Sequence, residues 1–174
     1  MNNLLLVIDM QNDFIDGSLG TNEAKLIVSN VVDKIKNFQG NVVFTRDTHT
    51  NEYLNTMEGK NLPVLHCVKD TAGWQLNNKI EEIAKERKSL IIDKPSFGSL
   101  ELVNEIKKLQ NEAFDKIELI GLCTDICVIS NALILKAAFP ECDIVVDSSC
   151  CAGVTKESHQ NALEAMKMCQ VTVI

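Results

Sequence analysis

The chain has 174 residues, 45% of them hydrophobic and 24% charged, with a formal net charge of -7 and seven cysteines. Such values suit one globular domain over residues 1–174 and exclude a disordered chain. The acidic balance, with lysines spread and not gathered into a basic stripe, speaks against nucleic acid as a partner, and no apolar run is long enough to span a membrane.

The first apolar stretch, "LLLVIDMQNDF", is interrupted by Asp9 and is shorter than a signal-peptide core plus cleavage site. With an odd number of cysteines and no secretory signal, the expectation is a cytoplasmic protein with free thiols. Apolar runs at Leu4 to Ile8, Val42 to Thr45, Ser89 to Ile92, Ile117 to Ile120, Ile144 to Val146 and Val171 to Val173 mostly lack polar alternation. They read as strands covered on both faces. Between the first two, Ala24, Ile27, Val28, Val31, Val32, Ile35 and Phe38 follow the spacing of one helical face, and Gly40 stands where a helix would stop. Further helical patterns cover Trp74 to Lys88, Ser99 to Gln110, Thr124 to Ala138 and Thr155 to Cys169. Strands and helices therefore alternate. The expected fold is a three-layer α/β/α, Rossmann-like architecture around a mostly parallel six-stranded sheet.

In such sheets the ligand site lies beyond the carboxyl ends of the strands. The polar residues that end the apolar runs are Asp9, then Arg46 and Asp47, then Asp93 and Lys94, then Cys123 to Cys127, then Asp147. A cysteine thiol is mostly protonated at neutral pH, so a nucleophilic one needs a base or a positive field. Asp9 suits the first role and Lys94 the second. Thr124 reads as a helix N-cap, which puts Cys127 in a first turn, where free amides favour an anion. The amides of Cys123 and Cys127 are then candidates for an oxyanion hole. Residues 46–74 form the longest stretch without a clear pattern and hold Asp47, His49 and His66, whose imidazoles and carboxylate suit zinc, iron or manganese. For Cys67, Cys142, Cys150, Cys151 and Cys169 the reading is small buried side chains.

Five segments, "LLLVIDMQNDFIDGSL", "FTRDTHT", "LHCVKDTAGW", "DKPSFGS" and "GLCTDICV", occur in an order and spacing that resembles the cysteine hydrolases of the isochorismatase-like superfamily, and within them the nicotinamidases. The resemblance implies that Asp9 shuttles a proton, Lys94 orients the site and Cys127 is the nucleophile. It also implies a non-proline cis peptide just before Cys123, a pocket-lining role for Phe14, and a divalent metal, zinc first, on Asp47, His49 and His66. Nicotinamide or a close heteroaromatic primary amide is the implied substrate, and a homo-oligomer the implied state. His159 matches no role and is read as a surface or structural residue. Many nicotinamidases carry a tryptophan shortly before the His-Cys pair; this chain reads "NLPVLHC", and whether Trp74 lines the pocket instead is left open. Alternatives are a metal-independent hydrolase of a carbamoyl or ureido compound, and a thiol redox or binding module using Cys123 and Cys127.

Overall fold

The computed structural model describes residues 2–109 and 113–174. Six strands, β1 (Asn3–Ile8), β2 (Asn41–Asp47), β3 (Leu90–Lys94), β4 (Lys116–Leu122), β5 (Asp143–Ala152) and β6 (Thr172–Val173), form one sheet in the order β3-β2-β1-β4-β5-β6. Every pairing is parallel, so the expected mostly parallel sheet is wholly parallel.

Why β1 is apolar along its length follows from its central place. Successive side chains point to opposite faces. Leu4, Leu6 and Ile8 enter one core with Leu102, Val103 and Ile106 of α5 (Leu100–Leu109), Ala132 and Leu135 of α6 (Ile129–Ala138), and Leu163 and Met166 of α7 (Lys156–Met168). Leu5 and Val7 enter the other, against Ala24, Ile27, Val31 and Ile35 of α2 (Asn22–Asn37) and Ile80 and Ile83 of α4 (Asn78–Glu86). The two cores make the three layers. Each fully buried leucine contributes roughly 1.5–3 kcal/mol of transfer free energy. Two short helices, α1 (Asn12–Ile15) and α3 (Met57–Asn61), lie in the connections that follow β1 and β2. Among the described residues no helix is long and apolar enough to cross a membrane.

Two boundaries differ from the sequence reading, and a third falls outside the described residues. The helix expected from Trp74 begins at Asn78, because Trp74 and Leu76 are held by other partners: the Trp74 indole donates to the Thr48 hydroxyl, and Leu76 bridges to Gln11. Asn77 then caps the helix by accepting from the Lys79 amide. The helix expected through Gln110 is described to Leu109; Gln110 lies outside the described residues. β5 runs on through "SSCCA", so Asp147 is not a strand-end residue of the crevice. It sits within the strand and, with buried Glu118, pairs with Lys34 of α2, at 2.8 Å in the case of Asp147. Cys169 is exposed at the end of α7, against the expectation of burial; its four companions Cys67, Cys142, Cys150 and Cys151 are buried.

Strand order reverses between β1 and β4, and there the two backbones approach closely. Gly121 takes φ +118°, and a Cβ at that position would overlap the Ile8 carbonyl oxygen of β1. Only glycine satisfies both conditions. Gly121→Ala is therefore expected to lower unfolding free energy by about 3 kcal/mol or more, read from the urea midpoint, because dihedral strain and overlap add.

Candidate active site

Four adjacent strand ends converge on one crevice. β1 delivers Asp9, β2 Asp47, β3 Lys94, and the chain leaving β4 delivers Cys123 and Cys127. Asp9 and Lys94 are completely buried and Cys127 nearly so. Lys94 Nζ lies 2.6 Å from Asp9 Oδ2 and 3.5 Å from Asp47 Oδ1, and donates to the Ser96 carbonyl at 3.1 Å and toward Cys127 Sγ at 3.4 Å. Asp9 has φ 47°, a strained region for a residue other than glycine. That turn aims its carboxylate at Lys94 and at the Thr45 hydroxyl, which donates to Oδ1 at 2.6 Å.

Burial governs the protonation states. It lowers the affinity of Lys94 for its proton, but the carboxylates of Asp9 and Asp47 outweigh it and hold the ammonium far above its ordinary pKa. Burial likewise pushes Asp9 above the usual carboxylate value, against the pull of Lys94. Cys127 is pushed well above an ordinary thiol, by burial first and the Asp9 carboxylate second. The turn position was expected to favour a thiolate; desolvation wins and favours the neutral thiol. Cys123 is raised to about 12 by burial and neighbouring Asp125.

The Leu122–Cys123 peptide is cis, as the resemblance implied. After it, Thr124–Val128 forms one wide π turn, closed by the Val128 amide donating to the Cys123 carbonyl five residues back at 3.0 Å. The cap residue is Cys123, not Thr124, which corrects the sequence reading. The Thr124 hydroxyl turns away and shares a 2.7 Å hydrogen bond with His159 Nδ1. His159 is half-buried, in keeping with a structural residue.

Asp47, His49 and His66 come together beside this centre. Asp47 Oδ2 lies 3.0 Å from His49 Nε2 and 3.6 Å from His66 Nε2. A fourth donor escaped the sequence reading. Glu58 of α3 places Oε1 3.5 Å from His49 Nε2 and 4.0 Å from His66 Nε2, and one ligand atom from each of the four lies within 4.8 Å of the others. Its only signal was membership of the unpatterned stretch. The set fits a divalent cation: His66 Nδ1 donates to the Val64 carbonyl at 2.7 Å, which leaves Nε2 as the ring atom that faces the carboxylates. Burial pushes Asp47 up, but hydrogen bonds from both imidazoles and the charge of Lys94 hold it well below the usual carboxylate range.

The supports of this half also come from "QNDF". The fully buried Gln11 amide accepts from the Asp47 N–H at 2.7 Å and donates to the carbonyls of Asp47 and Trp74 at 2.8 and 2.9 Å. Asp13 accepts the Cys67 N–H at 2.7 Å, holding the residue after His66 at φ 45°. It packs so close to Gly73 that any side chain there would collide with its carboxylate.

A cavity of about 220 Å³ opens over Cys127, with apolar walls of Phe14, Leu19, Leu62, Phe97, Ile126 and Val154, and Asp47, Glu58 and His66 at its polar side. Phe14 thus lines it as expected. Leu62, from the stretch without an aromatic, takes the wall near His66. Trp74 does not line the cavity: it is buried, with the Arg46 guanidinium 3.6 Å above its ring.

The Isochorismatase domain family matches residues 3–174. The chain belongs to that family. It is 29% identical over 173 residues to the isochorismatase family protein PncA of Bacillus subtilis, covering 94% of this chain and 93% of that protein. The crystal structure of nicotinamidase PncA from Bacillus subtilis superposes with a TM-score of 0.84 at 25% identity over 99% of both chains. The pyrazinamidase of Pyrococcus horikoshii, solved in complex with zinc, gives a TM-score of 0.81 at 23% identity over 100% of this chain and 99% of that one, a likeness of fold.

Because Asp13 holds the backbone beside His66, Asp13→Ala is expected to weaken divalent-metal retention roughly tenfold or more in competition with a chromogenic chelator. Asp13→Asn, which keeps an acceptor oxygen, should lose less.

Proposed function

We propose that this protein is an amidohydrolase that converts nicotinamide, or a close heteroaromatic primary amide, to the acid and ammonia through a thioester on Cys127. One observation carries the reading: a buried thiol that lines an apolar cavity is backed by a paired ammonium and carboxylate, and the cavity's polar side belongs to a metal-donor set. The likeness to nicotinamidase PncA of Bacillus subtilis supports it.

In this mechanism Asp9 takes the Sγ proton as sulfur adds to the amide carbonyl, so no free thiolate has to persist in a site that disfavours it. The raised affinity of Asp9 for a proton suits that transfer. The backbone N–H groups of Cys123 and Cys127 donate to the oxyanion. Lys94 stays protonated throughout, fixing Asp9 and compensating negative charge as it develops. Asp9 then gives its proton to the departing nitrogen, ammonia leaves, and Asp9 withdraws a proton from the water that cleaves the thioester. Phe14 and the other cavity walls exclude bulk water and pack the ring. Asp47, His49, Glu58 and His66 would hold a divalent ion, zinc first, whose contribution when bound is to position a ring nitrogen. The proposal includes a cytoplasmic location, supported by seven free thiols, and a homo-oligomeric state.

Two tests address the two halves. Cys127→Ala is expected to abolish ammonia release from nicotinamide, while Cys123→Ala keeps a substantial fraction because only its amide is used; equal and complete loss in both, with folding intact, would remove the division of roles. His66→Ala is expected to release the metal and chiefly raise KM for nicotinamide, with Cys127 still open to alkylation. A metal-free wild type that hydrolyses a ureido or carbamoyl compound better than nicotinamide would transfer the assignment to that class.

A further inference from the structure

The turn that carries Cys127 is tied down at both ends by side chains that never reach the cavity. At its far end Asn131, fully buried in α6, donates to the Cys127 carbonyl at 2.8 Å and to the Phe97 carbonyl at 3.0 Å, and accepts from the Ser99 amide at 3.0 Å. At its near end the tie is to α7 and the loop before it. Thr124 is fully buried, and its hydroxyl meets His159 Nδ1 at 2.7 Å. The next residue, Asp125, accepts the Val154 N–H on both carboxylate oxygens, at 3.1 and 3.2 Å. The loop itself presses on the helix: a Cβ on Gly153 would come within 2.9 Å of the backbone of His159. α7 is in turn fixed by a capping box between Thr155 and Ser158.

We propose that Thr124 and His159 are a positioning pair for the nucleophile turn, setting where Cys127 Sγ and the amides of Cys123 and Cys127 stand relative to the substrate carbonyl. The proposal rests on the reading of Cys127 as nucleophile. Its physical basis is the wide turn. A π turn leaves the amides of its first residues outside the regular helical pattern, so their direction is set by what the side chains beside them hold. Thr124 lies between the two amides of the proposed oxyanion hole, and its hydroxyl has one side-chain partner, on a different element. Displacing reacting groups by about 1 Å is enough to cost ~10²-fold in rate. Neither residue touches the cavity, so the effect should fall on turnover and not on binding.

Thr124→Val removes the hydroxyl at nearly constant shape, Thr124→Ser retains it, and His159→Gln leaves the hydroxyl but sets its partner's polar atoms one bond farther from the backbone than Nδ1, displacing the contact. With nicotinamide as substrate, Thr124→Val and His159→Gln are expected to lower kcat about 10- to 100-fold while KM stays within about threefold, and Thr124→Ser to return kcat to within about threefold of wild type. Melting temperatures measured beside the kinetics identify any variant that fails to fold; His159→Gln and Thr124→Ser then decide. A substrate-free readout accompanies them: the rate of Cys127 alkylation by iodoacetamide at fixed pH, followed by mass spectrometry, should change severalfold in Thr124→Val and recover in Thr124→Ser. Unchanged kcat and alkylation in folded Thr124→Val or His159→Gln, or equal impairment of the Val and Ser variants, would overturn the pair. A wild type that releases no ammonia from any amide while the alkylation pattern holds would instead count against the functional reading alone.

Discussion

The ion pair between Lys94 and Asp9 constrains everything else in the crevice. Both side chains are cut off from water, and desolvating each charge costs several kcal/mol that a single partner seldom returns. Here the ammonium also faces Asp47, the Ser96 carbonyl and Cys127 sulfur, so its donors are all directed at acceptors. That arrangement requires β3, β2, β1 and β4 to be neighbours in that order with matched ends, which the parallel registers provide. It also explains the strained backbone of Asp9, whose side chain must turn to meet the lysine.

The crevice divides its labour between two supports. The thiol half hangs from the chain leaving β4, braced by α6 and α7. The donor half hangs from the irregular segment after β2, braced by Gln11, Asp13 and Tyr53, whose ring packs 4.5 Å from His49 and 4.8 Å from His66 and whose hydroxyl donates to the Leu62 carbonyl. Asp47 and Lys94, 3.5 Å apart, join the halves directly. The Gln11 amide joins them through the backbone, reading β2 from the chain that leaves β1.

Much of this was legible in the sequence because strands buried on both faces announce themselves as unbroken apolar runs, and the polar residue that ends each run is then the natural occupant of the crevice. Asp9, Lys94 and Asp47 were found that way, and Cys127 by its place after the fourth run. The reading failed where tertiary partners override local pattern. Trp74 and Leu76 look like the first turn of a helix, yet Arg46, Thr48 and Gln11 claim them. Asp147 looks like a strand end because serine and cysteine follow it, yet those small residues continue β5. Glu58 has no local signature at all; one glutamate on a five-residue helix becomes a donor only when the loop folds over His49 and His66. Cys127 was expected as a thiolate from its turn, a one-dimensional argument that could not include its burial.

The all-parallel sheet has a consequence for how function is lost. Parallel neighbours cannot be joined by tight hairpins, so each strand pairing closes a long stretch of chain, and the crevice draws on residues from Asp9 to Cys127 across four strands. No single strand–helix unit contains these groups together, and no local segment can rebuild the crevice after the sheet has opened. Catalytic competence in this architecture is therefore a property of the completed sheet: it arrives late in folding and departs with global cooperativity, so that heat inactivation and unfolding trace one curve.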